Sequence, residues 1–243
     1  SVKTCAIVNV IESTIARNAD WVLPIHAGPE IGVASTKAFL GQLIVLYILI
    51  LKLSSIRNEI NQTTYNQKIE NLKKIPKFLK KTLDLETNIQ ILAKEFLDAK
   101  GSMFLGRGSS FPIALEGALK LKELSYLHAE GYPAGEMKHG PLALIEEGLP
   151  VIVIAPKDKY FEKTLSNMQE VIARGGKIVF ITDNKKKSIS ENIRFGLRVP
   201  HIDNLLSPIL LTIPLQLLAY HVALLKNCDI DKPRNLAKSV TVE

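Results

Sequence analysis

Short runs of β-branched and aliphatic residues alternate along the chain with longer stretches whose apolar positions recur at helical spacing. CAIVNV (5–10), WVLPIHA (21–27), MFLGRG (103–108), PVIVIAP (150–156), KIVFITD (177–183) and LRVP (197–200) are predicted strands. Several are apolar throughout, as strands covered on both faces are. Helical periodicity fills 34–56, 65–82, 87–99, 111–127, 159–175 and 207–227. This alternation implies an α/β chain with parallel sheets and right-handed crossovers.

The same order of elements occurs twice. From KIVFITD to the long apolar helix near 208 is about 31 residues, as it is from CAIVNV to the long apolar helix near 35. A short strand lies between in each copy, LRVPHID in one and WVLPIHAG in the other. The division that follows is 1–56 as the second half of a first module, 57–90 as a helical connector, 91–227 as a complete second module and 228–243 as a C-terminal tail. Within the connector, NQKIENLKKIPKFLKKTLDLE (66–86) is lysine-rich with apolar residues at helical spacing, which predicts a solvated amphipathic segment. NKKKS (184–188) reads as a surface loop after a strand.

Two apolar stretches invite comparison with a bilayer span. Phe39 to Leu51 is short and ends at Lys52, while Leu205 to Leu225 carries Pro208, Pro214, Gln216 and His221. A span needs roughly 20 clean apolar residues, so both are expected to be buried helices, with no membrane partner. The 243 residues, 47% apolar and 23% charged, suit a globular protein. The 31 Lys+Arg against 24 Asp+Glu give a formal charge of +7, which favours an anionic partner. Only 6% of residues are aromatic, and no basic stripe is interleaved with stacking side chains, so a nucleic-acid partner is not expected. Cys5 and Cys228 stand far apart with no CxxC or His/Cys cluster. That excludes a disulfide framework or zinc site as an expectation and fits a reducing, cytoplasmic compartment. The start SVKTCAIVNV, without Met or a leader pattern, is expected to belong to a fragment or processed piece.

Four segments could carry chemistry. LGRGSSFP (105–112) sets Gly-x-Gly-Ser-Ser between a strand and a helix, which serves equally as a tight turn with a serine cap or as an anion cradle. In GVASTKAF (32–39), Ser35 or Thr36 can cap the following helix, and a sugar or phosphate contact would be an added role. Along ALEGALKLKELSYLHAE, Glu116, Lys120 and Glu123 fall at i, i+4 and i+7 on one helix face. That trio is either a set of surface ion pairs or a general base beside a cation. Finally, 119–145 (LKLKELSYLHAEGYPAGEMKHGPLALI) ends in a Gly- and Pro-rich loop bearing His139, a group able to pass protons near neutral pH.

ALEGALKLKELSYLHAEGYPAGEMKHGPLALI, EIGVASTKAF and the terminal DKPRNLAKSVTVE together closely resemble the isomerase part of the glucosamine-6-phosphate synthase family. The resemblance runs over nearly the whole chain. It implies a pair of sugar-isomerase (SIS) modules, each a flavodoxin-like three-layer α/β/α sandwich, the first of them incomplete here. It also implies conversion of fructose 6-phosphate and glutamine-derived ammonia to glucosamine 6-phosphate, with no cofactor and no metal. By the same resemblance, Glu123 is the base that moves a proton between sugar C1 and C2, and Lys120 supports charge on the sugar oxygens. His139 would open the sugar ring, entering from the partner of a homodimer. Lys238 would meet the ketose at C2, with Ala237 supplying backbone contacts and Val33 and Ser35 binding the sugar.

The chain departs from that family in two places. It carries no glutaminase domain with an N-terminal cysteine nucleophile, since Cys5 lies in a strand pattern, and no Ser-Gln-Ser-Gly-Glu-Thr phosphate loop. Glutamine-dependent synthesis by these residues alone is therefore not expected. Two other functions fit such modules: a non-catalytic phosphosugar-binding SIS module, as in transcriptional regulators that carry a helix-turn-helix, and a related SIS deglycase or isomerase. KHGPLALI with LAKSVTVE favours the synthase resemblance over both.

Overall fold

The computed structural model of the chain describes residues 2–184, 193 and 195–238. The NKKKS segment after Asn184 and the last five residues of the tail lie outside them. Two parallel sheets are present among these residues. The smaller pairs β1 (Cys5–Val8) with β2 (Trp21–Pro24), and α1 (Thr14–Asn18) connects them. The larger has five strands in the order β4 (His128–Pro133), β3 (Gly101–Gly106), β5 (Pro150–Ile154), β6 (Lys177–Thr182) and β7 (Phe195–Arg198). All its neighbours pair in parallel. The order is that of a flavodoxin-like doubly wound sheet, with its reversal of winding between β3 and β5.

Consecutive residues of the central strands feed opposite cores, which is why these strands are apolar throughout. Phe104, Ile152, Ile154, Val179 and Ile181 join the layer of α5 (Glu86–Ala93), α6 (Ser110–Ser125) and α8 (Ser207–Leu225). Met103, Leu105, Val151, Val153, Ile178 and Phe180 join the layer of α7 (Phe161–Ile172) on the other face. Two glycines set how closely α6 approaches. A Cβ at Gly117 would lie 2.8 Å from Leu215 Cδ1 and 2.9 Å from Phe104. One at Gly106 would lie 2.1 Å from the Ser110 carbonyl oxygen. Gly106 of the Gly-x-Gly loop is thus required by the first turn of α6.

The structure differs from the sequence expectation in several elements. β4 was not predicted, because HAEGYP has no β-branched residue; among the described strands it pairs with β3 alone, and an edge strand tolerates Pro133 and polar residues. The segment read as a Gly- and Pro-rich loop is therefore this strand, followed by 3₁₀ turns at Ala134–His139 and Pro141–Leu144. Helix 65–82 is two helices, α3 (Gln62–Lys73) and α4 (Ile75–Leu83), because Pro76 can occupy only the first turn of a helix. α1, too short for periodicity to reveal, was also missed. The strand placed at 197–200 begins at Phe195 and ends at Arg198, and the strands at 5–10 and 21–27 end early, at Val8 and Pro24.

The two apolar helices part company. α8 is buried along most of its length, from Ser207 to Ala223. α2 (Lys37–Ile56), expected to be buried, has only Tyr47 and Leu51 inside, while Leu46, Ile48, Ile50, Leu53 and Ile56 are exposed. Its sheet has two strands and offers less surface to cover than the five-stranded sheet beneath α8. Both helices have the length and apolarity to cross a bilayer.

Candidate active site

The trio on α6 is an inward-facing group. The Lys120 side chain is only 3% exposed, and its ammonium donates to Glu123 Oε2 at 2.5 Å and lies 3.7 Å from Glu116 Oε1. Both carboxylates are largely covered, Glu116 to 11% and Glu123 to 22% exposure. Burial pushes the Glu116 carboxyl above the usual carboxylate range; the Lys120 charge works against that and the Glu123 charge adds to it. Surface ion pairs would leave all three side chains in water; here they are largely enclosed.

A second group forms where the tail crosses the segment before α2. The Val33 amide donates to the Asp231 carbonyl at 3.0 Å. Lys238 Nζ donates to Glu30 Oε2 at 3.1 Å and to the carbonyl of Gly32 at 2.7 Å, with the Val33 carbonyl 3.5 Å away. Glu30 also replaces the expected serine or threonine cap. The N-cap is Thr36, whose side chain caps nothing, and Glu30 Oε1 accepts from the amides of Thr36 at 2.8 Å and Ala38 at 3.3 Å. Burial pushes the Glu30 carboxyl up, but the Thr36 amide, Lys238, the Ala38 amide and the Ser35 hydroxyl outweigh it and hold it at about 2. The serine cap expected for α6 is likewise missing: Ser109 makes no side-chain cap bond, and the buried Ser110 Oγ has no partner among the described residues.

The tail joins these two groups. α6 ends at Tyr126, a non-glycine residue in the left-handed region (φ 59°). The Arg234 amide donates to the Tyr126 hydroxyl at 2.8 Å, and the Arg234 guanidinium lies 4.2 Å from the ring centroid. A second tie comes from α8, where Gln216 Nε2 reaches the Thr36 carbonyl at 3.4 Å. Glu30, Tyr126 and Arg234 escaped the sequence reading. The one available signal was a carboxylate six residues ahead of a Ser-Thr helix start. Ala237 is exposed beside Lys238. His139 is 75% exposed, with Glu136 at 3.8 Å as its ionic neighbour among the described residues.

The depressed Glu30 value has a testable consequence. Its ionised form stabilises the fold above the unfolded value of about 4.5, and that contribution is lost as pH falls toward 2. The melting temperature of Glu30→Gln should lie below that of the parent at pH 7. The gap should narrow below pH 4.5 and close near pH 2; a gap of constant size would show that the charge is immaterial.

With the geometry established, comparison with known proteins assigns the family. A model of the SIS domain matches residues 1–52 and 95–226. The chain belongs to the SIS domain family. Over its whole length this SIS chain is 53% identical to the glutamine–fructose-6-phosphate aminotransferase [isomerizing] of Bartonella henselae, of which it spans 40%. Among solved structures it is similar to the C-terminal domain of glucosamine-fructose-6-phosphate aminotransferase from Francisella tularensis. That match has a TM-score of 0.92 and 44% identity, and covers 96% of this chain and 66% of that one. A solved structure from Clostridium novyi, at 20% identity and TM-score 0.80, shares the fold; the match covers 96% of this chain and 61% of that one.

Proposed function

We propose that the chain is the isomerase part of a glutamine–fructose-6-phosphate aminotransferase, in which fructose 6-phosphate and ammonia become glucosamine 6-phosphate. The observation that carries this reading is the buried Lys120–Glu123 pair on α6, tied through Tyr126 and Arg234 to a tail lysine seated beside Val33. The match of this whole chain to part of aminotransferases named for this reaction supports it. Glucosamine 6-phosphate differs from the ketose at C1 and C2 only, which is where a carboxylate and an amine are needed.

In this reading His139 assists ring opening by proton transfer to the ring oxygen. Its exposure suits delivery from a second copy of the chain, hence a homodimer. Lys238 Nζ adds to the C2 carbonyl, water leaves, and an imine forms that ammonia then displaces. The amine must first leave Glu30 and the two carbonyls that hold its ammonium. Glu123 takes the proton from C1 and returns it to C2, with Lys120 countering charge on the sugar oxygens. Val33, Ser35 and Ala237 line the sugar. The phosphate is held by a Ser/Thr-rich loop and the ammonia is released by a glutaminase domain, neither of them among these 243 residues. The enzyme works in the cytoplasm.

The imine provides the test. Incubating an intact synthase that carries these residues with fructose 6-phosphate and cyanoborohydride should fix one hexose phosphate on Lys238, detected by peptide mass spectrometry. Lys238→Ala should abolish the adduct. Labelling scattered over surface lysines, with none enriched at Lys238, would remove the amine from the mechanism.

A further inference from the structure

Two cavities share no lining residue with these groups and lie at the carboxyl-terminal edge of the five-stranded sheet. One of about 900 Å³ is lined by Phe78 and Lys81 of α4, Lys157 after β5, Asp183 after β6, Arg198 at the end of β7, and His201. Another, of about 480 Å³, shares Phe78, Lys157 and His201 and extends to Lys74. These volumes are in the range of small-molecule sites, and the carboxyl ends of parallel strands are where such sheets take ligands.

Lys74, Lys81, Lys157 and Arg198 line the two cavities, while the carboxylates among the described lining residues, Asp183 and Asp203, are engaged by other groups. Asp183 is already committed: the Lys157 amide donates to its Oδ1 at 2.6 Å and His201 Nδ1 lies 2.7 Å from its Oδ2. Asp203 at the edge of the smaller cavity is paired with Lys68. Lys81, Lys157 and Arg198 have no ion-pair partner among the described residues. Three different elements thus bring like charges to one cleft, an arrangement that a bound anion stabilises. Arg198 offers the planar fork suited to phosphate, and Phe78, Val199 and Pro200 give the larger cavity an apolar wall for an organic group. The lysine-rich connector is then more than solvated surface, since Lys74 and Lys81 belong to it.

We propose that this cleft is a binding site for a phosphorylated small molecule, separate from the sugar site and independent of the function assigned to that site. Lysine acetylation of the chain, followed by mass spectrometry at fixed ionic strength, tests it. Inorganic phosphate at millimolar concentration should slow labelling of Lys81 and Lys157 several-fold relative to chloride, while leaving Lys3 and Lys52 unchanged. A hexose phosphate should protect at lower concentration if the apolar wall is used, and at the same concentration if phosphate alone is recognised. Lys238→Ala should be protected like the parent, and Arg198→Ala at least tenfold less well. Equal slowing at all lysines, no slowing, or protection by an acidic peptide but not by phosphate would each overturn the proposal.

Discussion

Replacing Lys120 by alanine is expected to destabilise the fold by about 3 kcal/mol at neutral pH, a fall of roughly 6–12 °C in melting temperature. The ammonium is almost wholly buried and is the cation shared by Glu116 and Glu123. Without it two covered carboxylates face each other unpaired, and the loss of an ion from a buried pair costs more than the pair itself contributes. The deficit should shrink in acid, where the carboxyls take up protons. Burial already raises Glu116, so its neutral form favours the fold, and that contribution fades as pH climbs through the raised value. Lys120→Met, which restores volume without charge, should recover little at pH 7. If both variants melt within 2 °C of the parent, the trio is solvated and its interpretation as a held base fails.

The second large effect concerns turnover. In an intact synthase carrying these residues, Glu123→Gln should lower the rate of proton transfer between C1 and C2 by about 10²–10⁴-fold, the usual contribution of a positioned general base. Glutamine keeps the volume and can still accept from Lys120, so sugar affinity should change by no more than a few-fold. Single-turnover exchange of solvent hydrogen into the sugar measures the step directly. A rate within threefold of the parent would move the base elsewhere, with Glu116, four residues from Lys120 on the same face, as the next residue to replace.

Much of this was legible because local patterns act alone. Strands such as PVIVIAP read as buried on both faces, and the alternating assignment of Val151 to one core and Ile152 to the other bears this out. The i, i+4, i+7 spacing of Glu116, Lys120 and Glu123 sufficed to put them on one side of α6. Residues joined across long sequence separations were not legible in the same way. Nothing near Glu30 in the chain announces that it receives Lys238, 208 positions later, and its place six residues before Thr36 is a faint sign that it displaces Ser35 and Thr36 as the helix cap. HAEGYP became a strand through the β3 edge it pairs with, against its own propensity.

By itself, then, the amino-acid order determined the alternation of strands and helices, the parallel sheet and the shared face of the α6 trio, since each depends on side-chain periodicity within one element. Whether that face was wet or buried, which of two equally apolar helices would be enclosed, and which cations would meet around a cleft depended on the packing of elements far apart in the chain. Burial and electrostatic pairing are properties of that packing, and only the tertiary structure could decide them.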